Sequence, residues 1–252
     1  MIANDNDSHL QYKASIDSRL QLGILRSMNW PPLDLLSLYE ALLQAYGPQD
    51  WWPGRGNPFE VIVGAILTQR TTWTNAARVI DALRRAKMLA PEAIRQAGSR
   101  ELEVLIRPAG FYRVKTAKLK AFCTMLWTEY AGELSRLLTL PLEELRSVLL
   151  SVYGIGDETA DAILLYAAGK PSFVIDAYTR RMLTRLGWIE GSESYQQLRK
   201  AFTQALPPDV GTFAEYHALI VRHGKTHCRS RPRCPICPLA NRCETAKHQE
   251  DV

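Results

Sequence analysis

The chain has 252 residues, 46% hydrophobic and 23% charged, with a formal net charge of +5. This length can bury a sizeable core as one large domain or two lobes, and the composition is ordinary for a soluble globular protein. No apolar run approaches a membrane span, and the polar N-terminus MIANDNDSHLQYK lacks the apolar core of a secretory signal, so a cytoplasmic location is expected.

Residues 1–28 read as an extension. From Leu33 to Tyr46, Leu repeats at helical spacing and stops at Gly47-Pro48. Asn57-Pro58 opens FEVIVGAILTQ, an apolar helix, and a polar turn over Arg70 to Thr72 leads to a second helix through Asn75 to Ala86. Pro91, Pro108 and Pro141 punctuate the middle of the chain. PLEELRSVLLSVYG is amphipathic, with Pro at its first turn and Gly at its end. Helices follow over Asp157–Ala168, Asp176–Leu186, Ser194–Ala205 and Gly211–Gly224. Strand patterns are nearly absent, and the expected fold class is all-α.

Two segments are basic: IRPAGFYRVKTAKLK (Ile106 to Lys120) and VRHGKTHCRSRPR (Val221 to Arg233). Most such runs are solvated faces, but aromatics or metal ligands accompany both, which favours contact with phosphates. Five cysteines are present. Cys123 lies alone in a helical pattern and is expected in the core. Cys228, Cys234, Cys237 and Cys243 form a C-x5-C-x2-C-x5-C array. Four thiolates so close can enclose one metal centre. A single CxxC fits a zinc ribbon poorly, so the spacing favours a cubane iron–sulfur cluster over zinc. The intervening Arg229, Arg231 and Arg233 would then be held against phosphates by a rigid loop.

VYGIGDETADAILLYA reads as helix, tight glycine turn, helix. Gly154 and Gly156 allow close backbone approach, and the unsatisfied amides at the next helix start form an anion site, here for a DNA phosphate. Asp176 follows in PSFVIDAYTRR. Its ordinary role is a helix N-cap. A carboxylate beside bound DNA would otherwise need a cation to meet, and a transient sugar oxocarbenium is one.

Together these motifs make the chain resemble the helix–hairpin–helix, Gly/Pro-Asp superfamily of DNA glycosylases over about Leu33 to Cys243. The tail looks like the iron–sulfur loop of the endonuclease III branch, with five residues where that branch has six between the first two cysteines. The resemblance implies two helical lobes flanking a DNA cleft. One is a six-helix barrel over 51–169 with the hairpin at 149–166. The other combines 29–50 with 170–247 and carries a 4Fe-4S cluster on Cys228, Cys234, Cys237 and Cys243 (228–243). Asp176 matches the catalytic aspartate. Glu158 stands where bifunctional members have the lysine that attacks C1′. A carboxylate cannot form an imine, so base release by water without strand cleavage is implied. An acidic residue in a helix's first turn is also favoured by the dipole.

QDWWPGRGNPFEVIVGAILTQRTTW, IRPAGFY and the Glu-bearing hairpin are further similar to the 3-methyladenine DNA glycosylase III subfamily. That similarity implies a base pocket of Trp51, Trp52, Pro53, Trp73 and Lys225, with Phe111 and Gln69 filling the gap left by the flipped base. Indole faces attract cationic alkylated purines, which are already good leaving groups. The expected function is a monofunctional glycosylase for alkylated purines such as 3-methyladenine. The alternatives are uracil, mismatched thymine or an oxidised pyrimidine as target, or a non-catalytic DNA-damage binding protein. The expected partner is double-stranded DNA with a damaged base, met in the nucleoid, with no membrane contact. No oligomerisation signal is visible, so a monomer is expected.

Overall fold

The structure, a computed structural model, describes residues 34–49 and 56–250. The extension at 1–28 and the pocket candidates Trp51, Trp52 and Pro53 lie outside the described residues. Described elements are helical throughout: α1 Leu35–Tyr46, α2 Pro58–Leu67, α3 Trp73–Arg85, α4 Pro91–Gln96, α5 Ser99–Ile106, α6 Tyr112–Tyr130, α7 Leu134–Leu138, α8 Leu142–Ser151, α9 Asp157–Tyr166, α10 Ala177–Arg185, α11 Tyr195–Ala205, α12 Val210–Thr226 and α13 Glu244–Glu250. Short 3-10 turns cover Arg107–Ala109, Cys234–Ile236 and Ala240–Arg242.

Local chemistry fixes the helix starts. Asp34, Asn57, Thr72, Asp176, Ser194 and Asp209 each accept a first-turn amide proton, and Ser194 completes a capping box with Gln197. Pro58 and Pro91 sit in the first turn, where their missing N–H costs nothing.

Buried side chains gather in two clusters. The first draws Ile62, Ile66, Val79, Leu83, Phe122, Leu126 and Ile163 from α2 to α9. Cys123 lies here, 2% exposed, and burial pushes its thiol up to about 12. The second joins Leu38 and Leu42 of α1 to Phe173, Phe202, Phe213 and Tyr216, with Phe173 stacked on Phe202 at 4.0 Å. α9 contributes to both: Ile163 and Leu164 face the first cluster, Leu165 the second.

Between the clusters runs a charged seam. Arg146 of α8 pairs with Asp157 (2.6 Å) and Asp161 (3.0 Å) of α9. Asp161 also accepts from Ser172 Oγ at 2.7 Å and meets Arg199 of α11 at 3.2 Å. One side of α9 is thereby fixed and its N-terminus presented outward.

One expectation is corrected. The C-terminal region is helical, but it is not an iron–sulfur lobe: among the described residues no group of three or more His, Cys, Asp or Glu could hold a metal ion. Three of the thiols meet Arg185 or His223. Cys243 donates to the Arg185 carbonyl at 3.1 Å, Cys228 Sγ accepts from the Arg185 guanidinium at 3.4 Å, and Cys237 Sγ lies 4.0 Å from His223 Nε2. Burial and the neighbouring cysteines raise the Cys234 and Cys237 thiols. The residues present do not fit a 4Fe-4S cluster on Cys228, Cys234, Cys237 and Cys243.

Candidate active site

The hairpin between α8 and α9 turns on Gly154, at φ +83°. A Cβ there would land on the Lys118 stem, so this turn requires glycine twice over, for conformation and for space. Gly156 is the N-cap of α9 and brings no side-chain acceptor, so the first amides remain for an outside anion. Asp157 in that first turn would repel a phosphate, but Arg146 and Gln196 both donate to it at 2.6 Å.

Gln69 braces the hairpin. Its amide donates to the Gly154 carbonyl at 3.0 Å and to Thr159 Oγ1 at 2.9 Å, while Lys118 donates to its Oε1. Phe111 stands at the tip of the RPAGFY turn, 59% exposed and left-handed at φ +46°. That conformation is uncommon for a bulky residue and is held by its surroundings. Buried Lys115 supplies the hold. Its ammonium donates to Ala109 O in that turn and to Leu67 O at the end of α2, both at 2.8 Å. One cation therefore ties the Phe111 turn to the segment leading into Gln69.

The basic run at 106–120 is thus partly internal. Lys115 and Lys118 are used as above, and Lys120 donates to the carbonyls of Arg95 (3.0 Å) and Ala97 (2.6 Å). Arg107 and Arg113 stay exposed. Arg229, Arg231 and Arg233 are all exposed. Their loop is held by guanidiniums of α10 rather than by a metal. Arg181 donates to Cys228 O at 2.8 Å, and Arg185 donates to the carbonyls of Arg229 and Ser230. Lys225 is exposed near the end of α12. Trp73 begins α3, half-buried against the first cluster with its ring over Gly64.

Asp176 caps α10. Its Oδ1 accepts from Thr179 N at 2.7 Å and Thr179 Oγ1 at 2.9 Å, and its Oδ2 lies 3.6 Å from His217 Nε2. Burial opposes the anion, but His217 and the two Thr179 donors outweigh it and hold this carboxyl below its ordinary range. Glu158 reaches solvent on one side and protein on the other. Desolvation and the neighbouring Asp176 carboxylate raise its pKa, against the pull of His217 and Arg180. Two adjacent carboxyls are thus driven apart, one toward the anion and one toward the acid, as in sites that separate acid and base roles. Sequence reasoning missed His217 and Tyr166, whose hydroxyl meets His217 Nδ1 at 2.7 Å. They lie 51 residues apart, and no local motif joins them.

Residues 63–208 match the HhH-GPD superfamily of base excision DNA repair proteins. The chain belongs to this superfamily. A Methanocaldococcus jannaschii protein named as a DNA repair glycosylase is 42% identical over 211 residues, covering 83% of this chain and 95% of that protein. A thymine/uracil-DNA glycosylase of Pyrobaculum aerophilum is 26% identical, over 83% of this chain and 91% of its own. Among solved structures, a non-covalent endonuclease III–DNA complex superposes with a TM-score of 0.76 at 25% identity, over 86% of this chain and 97% of its own. The 3-methyladenine DNA glycosylase of H. pylori bound to 1,N6-ethenoadenine gives 0.67 at 27% identity, over 77% of this chain and 98% of its own. This HhH-GPD chain is by class a DNA N-glycosylase whose partner is double-stranded DNA. Among the described residues no helix is long and apolar enough to cross a membrane.

Proposed function

We propose that the protein hydrolyses the N-glycosidic bond of a damaged or mispaired pyrimidine flipped from duplex DNA, and leaves the strand uncut. The observation that carries the uncut strand is Glu158 beside Asp176. The position that would need an amine for imine formation holds a carboxyl, so water is the nucleophile. Asp176 stays anionic and supports the oxocarbenium as the bond to the base breaks. Glu158, with its raised pKa, sits where it can exchange a proton with the attacking water. The α9 N-terminus and the exposed arginines at 229, 231 and 233 take phosphates, Phe111 enters the vacated stack, and Gln69 supports the hairpin opposite.

The pyrimidine assignment is supported by the higher and longer overlap with endonuclease III and by the thymine/uracil enzyme among the relatives. It replaces alkylated purine as the leading substrate. The purine reading retains one specific support, Trp73 together with the likeness to the ethenoadenine-bound enzyme. Chromatography of bases released from duplexes carrying uracil, mismatched thymine, oxidised pyrimidine or methylated purine decides between them. Release of a pyrimidine, with no borohydride-trapped adduct, is expected. Release of 3-methyladenine alone would restore the purine reading, and a trapped adduct would refute the role given to Glu158.

A further inference from the structure

We propose that His217 is a positioning residue for Asp176, locked by Tyr166 in the tautomer that presents its Nε2 proton to the carboxylate. This rests on the glycosylase reading above and assigns its electrostatics to a residue no local motif marks.

The geometry fixes the direction of the chain. His217 Nε2 stands 3.6 Å from Asp176 Oδ2, and His217 Nδ1 stands 2.7 Å from the Tyr166 hydroxyl oxygen Oη. A lone pair on Nε2 would oppose the carboxylate, so Nε2 carries the proton. Nδ1 is then the acceptor, and the Tyr166 hydroxyl donates to it. A ring nitrogen's partner sets the tautomer at the other nitrogen, which is how outer hydrogen bonds tune catalytic imidazoles. The three groups come from three different segments: Tyr166 ends α9, Asp176 caps α10, and His217 lies within α12. Relative to each other they are fixed by the second core rather than by sequence.

The Nε2 contact is longer than a formed hydrogen bond. Catalytic bonds in the free enzyme are commonly loose and tighten with substrate bound. With Oδ1 already holding the two Thr179 donors, Oδ2 is the oxygen left for the sugar, and His217 meets that oxygen. The Tyr166 hydroxyl also lies 3.4 Å from the Ala214 carbonyl. The titratable and charged groups facing this centre are Glu158 and Tyr166 on α9, Arg180 on α10, Tyr195 on α11 and Glu215 on α12.

The test uses the full chain and a lesion duplex that wild type processes. H217L should slow single-turnover base release roughly ten- to a hundredfold, leave the duplex Kd within about twofold, and move the acid limb of the rate–pH profile upward. H217Q keeps an N–H donor without a tautomer and should recover much of the rate. Y166F should slow wild type and add nothing in the H217Q background. NMR titration of the Asp176 carboxyl carbon should show a higher midpoint in H217L. A wild-type rate in H217L, a rate loss with an unmoved acid limb, or an unmoved Asp176 midpoint would each overturn the inference. If wild type releases no base from any lesion duplex, the glycosylase reading fails, and the catalytic use of His217 fails with it.

Discussion

Two aspartates border α9, and their hydrogen bonds separate them. Asp161 is fully buried. Its Oδ1 accepts from Arg146 Nε (3.0 Å) and Ser172 Oγ (2.7 Å) and faces Arg199 Nε (3.2 Å), and its Oδ2 accepts from Arg146 (3.2 Å). Asp176 is 9% exposed and has two strong donors on one oxygen only. A carboxylate with close donors on both oxygens has little left to offer a substrate. One that is held by one oxygen and directed by the other can respond to a new charge. The difference teaches that burial alone does not separate the two carboxylates; what does is that Asp161 has a close donor on each oxygen, whereas both close donors of Asp176 fall on Oδ1 and Oδ2 faces His217 at 3.6 Å.

The largest effect that sharpens this contrast is expected at the saturated site. D161N removes the anion between Arg146 and Arg199 and leaves these largely buried guanidiniums only the more exposed Asp157 and Glu143. Breaking such a group costs about 3–5 kcal/mol. Guanidinium unfolding should show that loss, while base release per folded molecule stays near wild type. An unchanged unfolding midpoint would end the structural assignment of Asp161.

At the other aspartate the pattern should invert. D176N keeps a good N-cap, so stability should change little. Base release should fall by roughly 10²–10³, the cost of losing one transition-state electrostatic partner. DNA affinity should hold, because the groups proposed to take phosphates lie elsewhere and neutralising a carboxylate does not weaken them. Retained turnover would remove Asp176 from the chemistry.

Lys115 offers an intermediate test, since it too is a buried charge, met by carbonyls instead of an opposite ion. K115M leaves Leu67 O and Ala109 O without their donor and should destabilise the fold by about 1–3 kcal/mol. It should also loosen the Phe111 turn, so base flipping, followed by 2-aminopurine fluorescence beside the lesion, should weaken more than duplex binding. Equal loss in both would deny Lys115 any part in holding the wedge.

How much of this was legible depended on how local each signal is. The leucine repeat of α1, the Asn57-Pro58 start of α2 and the hairpin glycines are written in a few adjacent residues, and the helices formed within a turn or two of their expected ends. Asp176 was visible for the same reason, as a cap and as part of VIDAYTRR. His217, Tyr166 and Lys115 were not, because each acquires meaning from partners brought in by the tertiary fold. The lysines of 106–120 looked like a phosphate-binding face, yet three of them end on internal acceptors. The cysteine tail shows the opposite failure. Spacing states which thiols could converge, but Cys228, Cys237 and Cys243 meet Arg185 or His223, which the spacing does not contain.

The smallest expected effect concerns the partner of the unsaturated aspartate. The Glu158 pKa is raised, so the folded state penalises its anion. A raised folded pKa contributes stability that is fully present below the unfolded value near 4.3 and is lost as pH rises through the folded value. E158Q removes the titration. It should therefore raise the unfolding free energy at neutral pH, by less than about 1 kcal/mol because solvent reaches the carboxyl and screens it, and the gain should vanish near pH 4. The same variant loses the group proposed to exchange a proton with water, so its base release should fall even as its stability rises. A carboxyl that costs stability and supports turnover fits the unsaturated site, where an anion is kept beside a second acid. If E158Q were less stable at pH 7, Glu158 would belong with Asp161, as part of the scaffold.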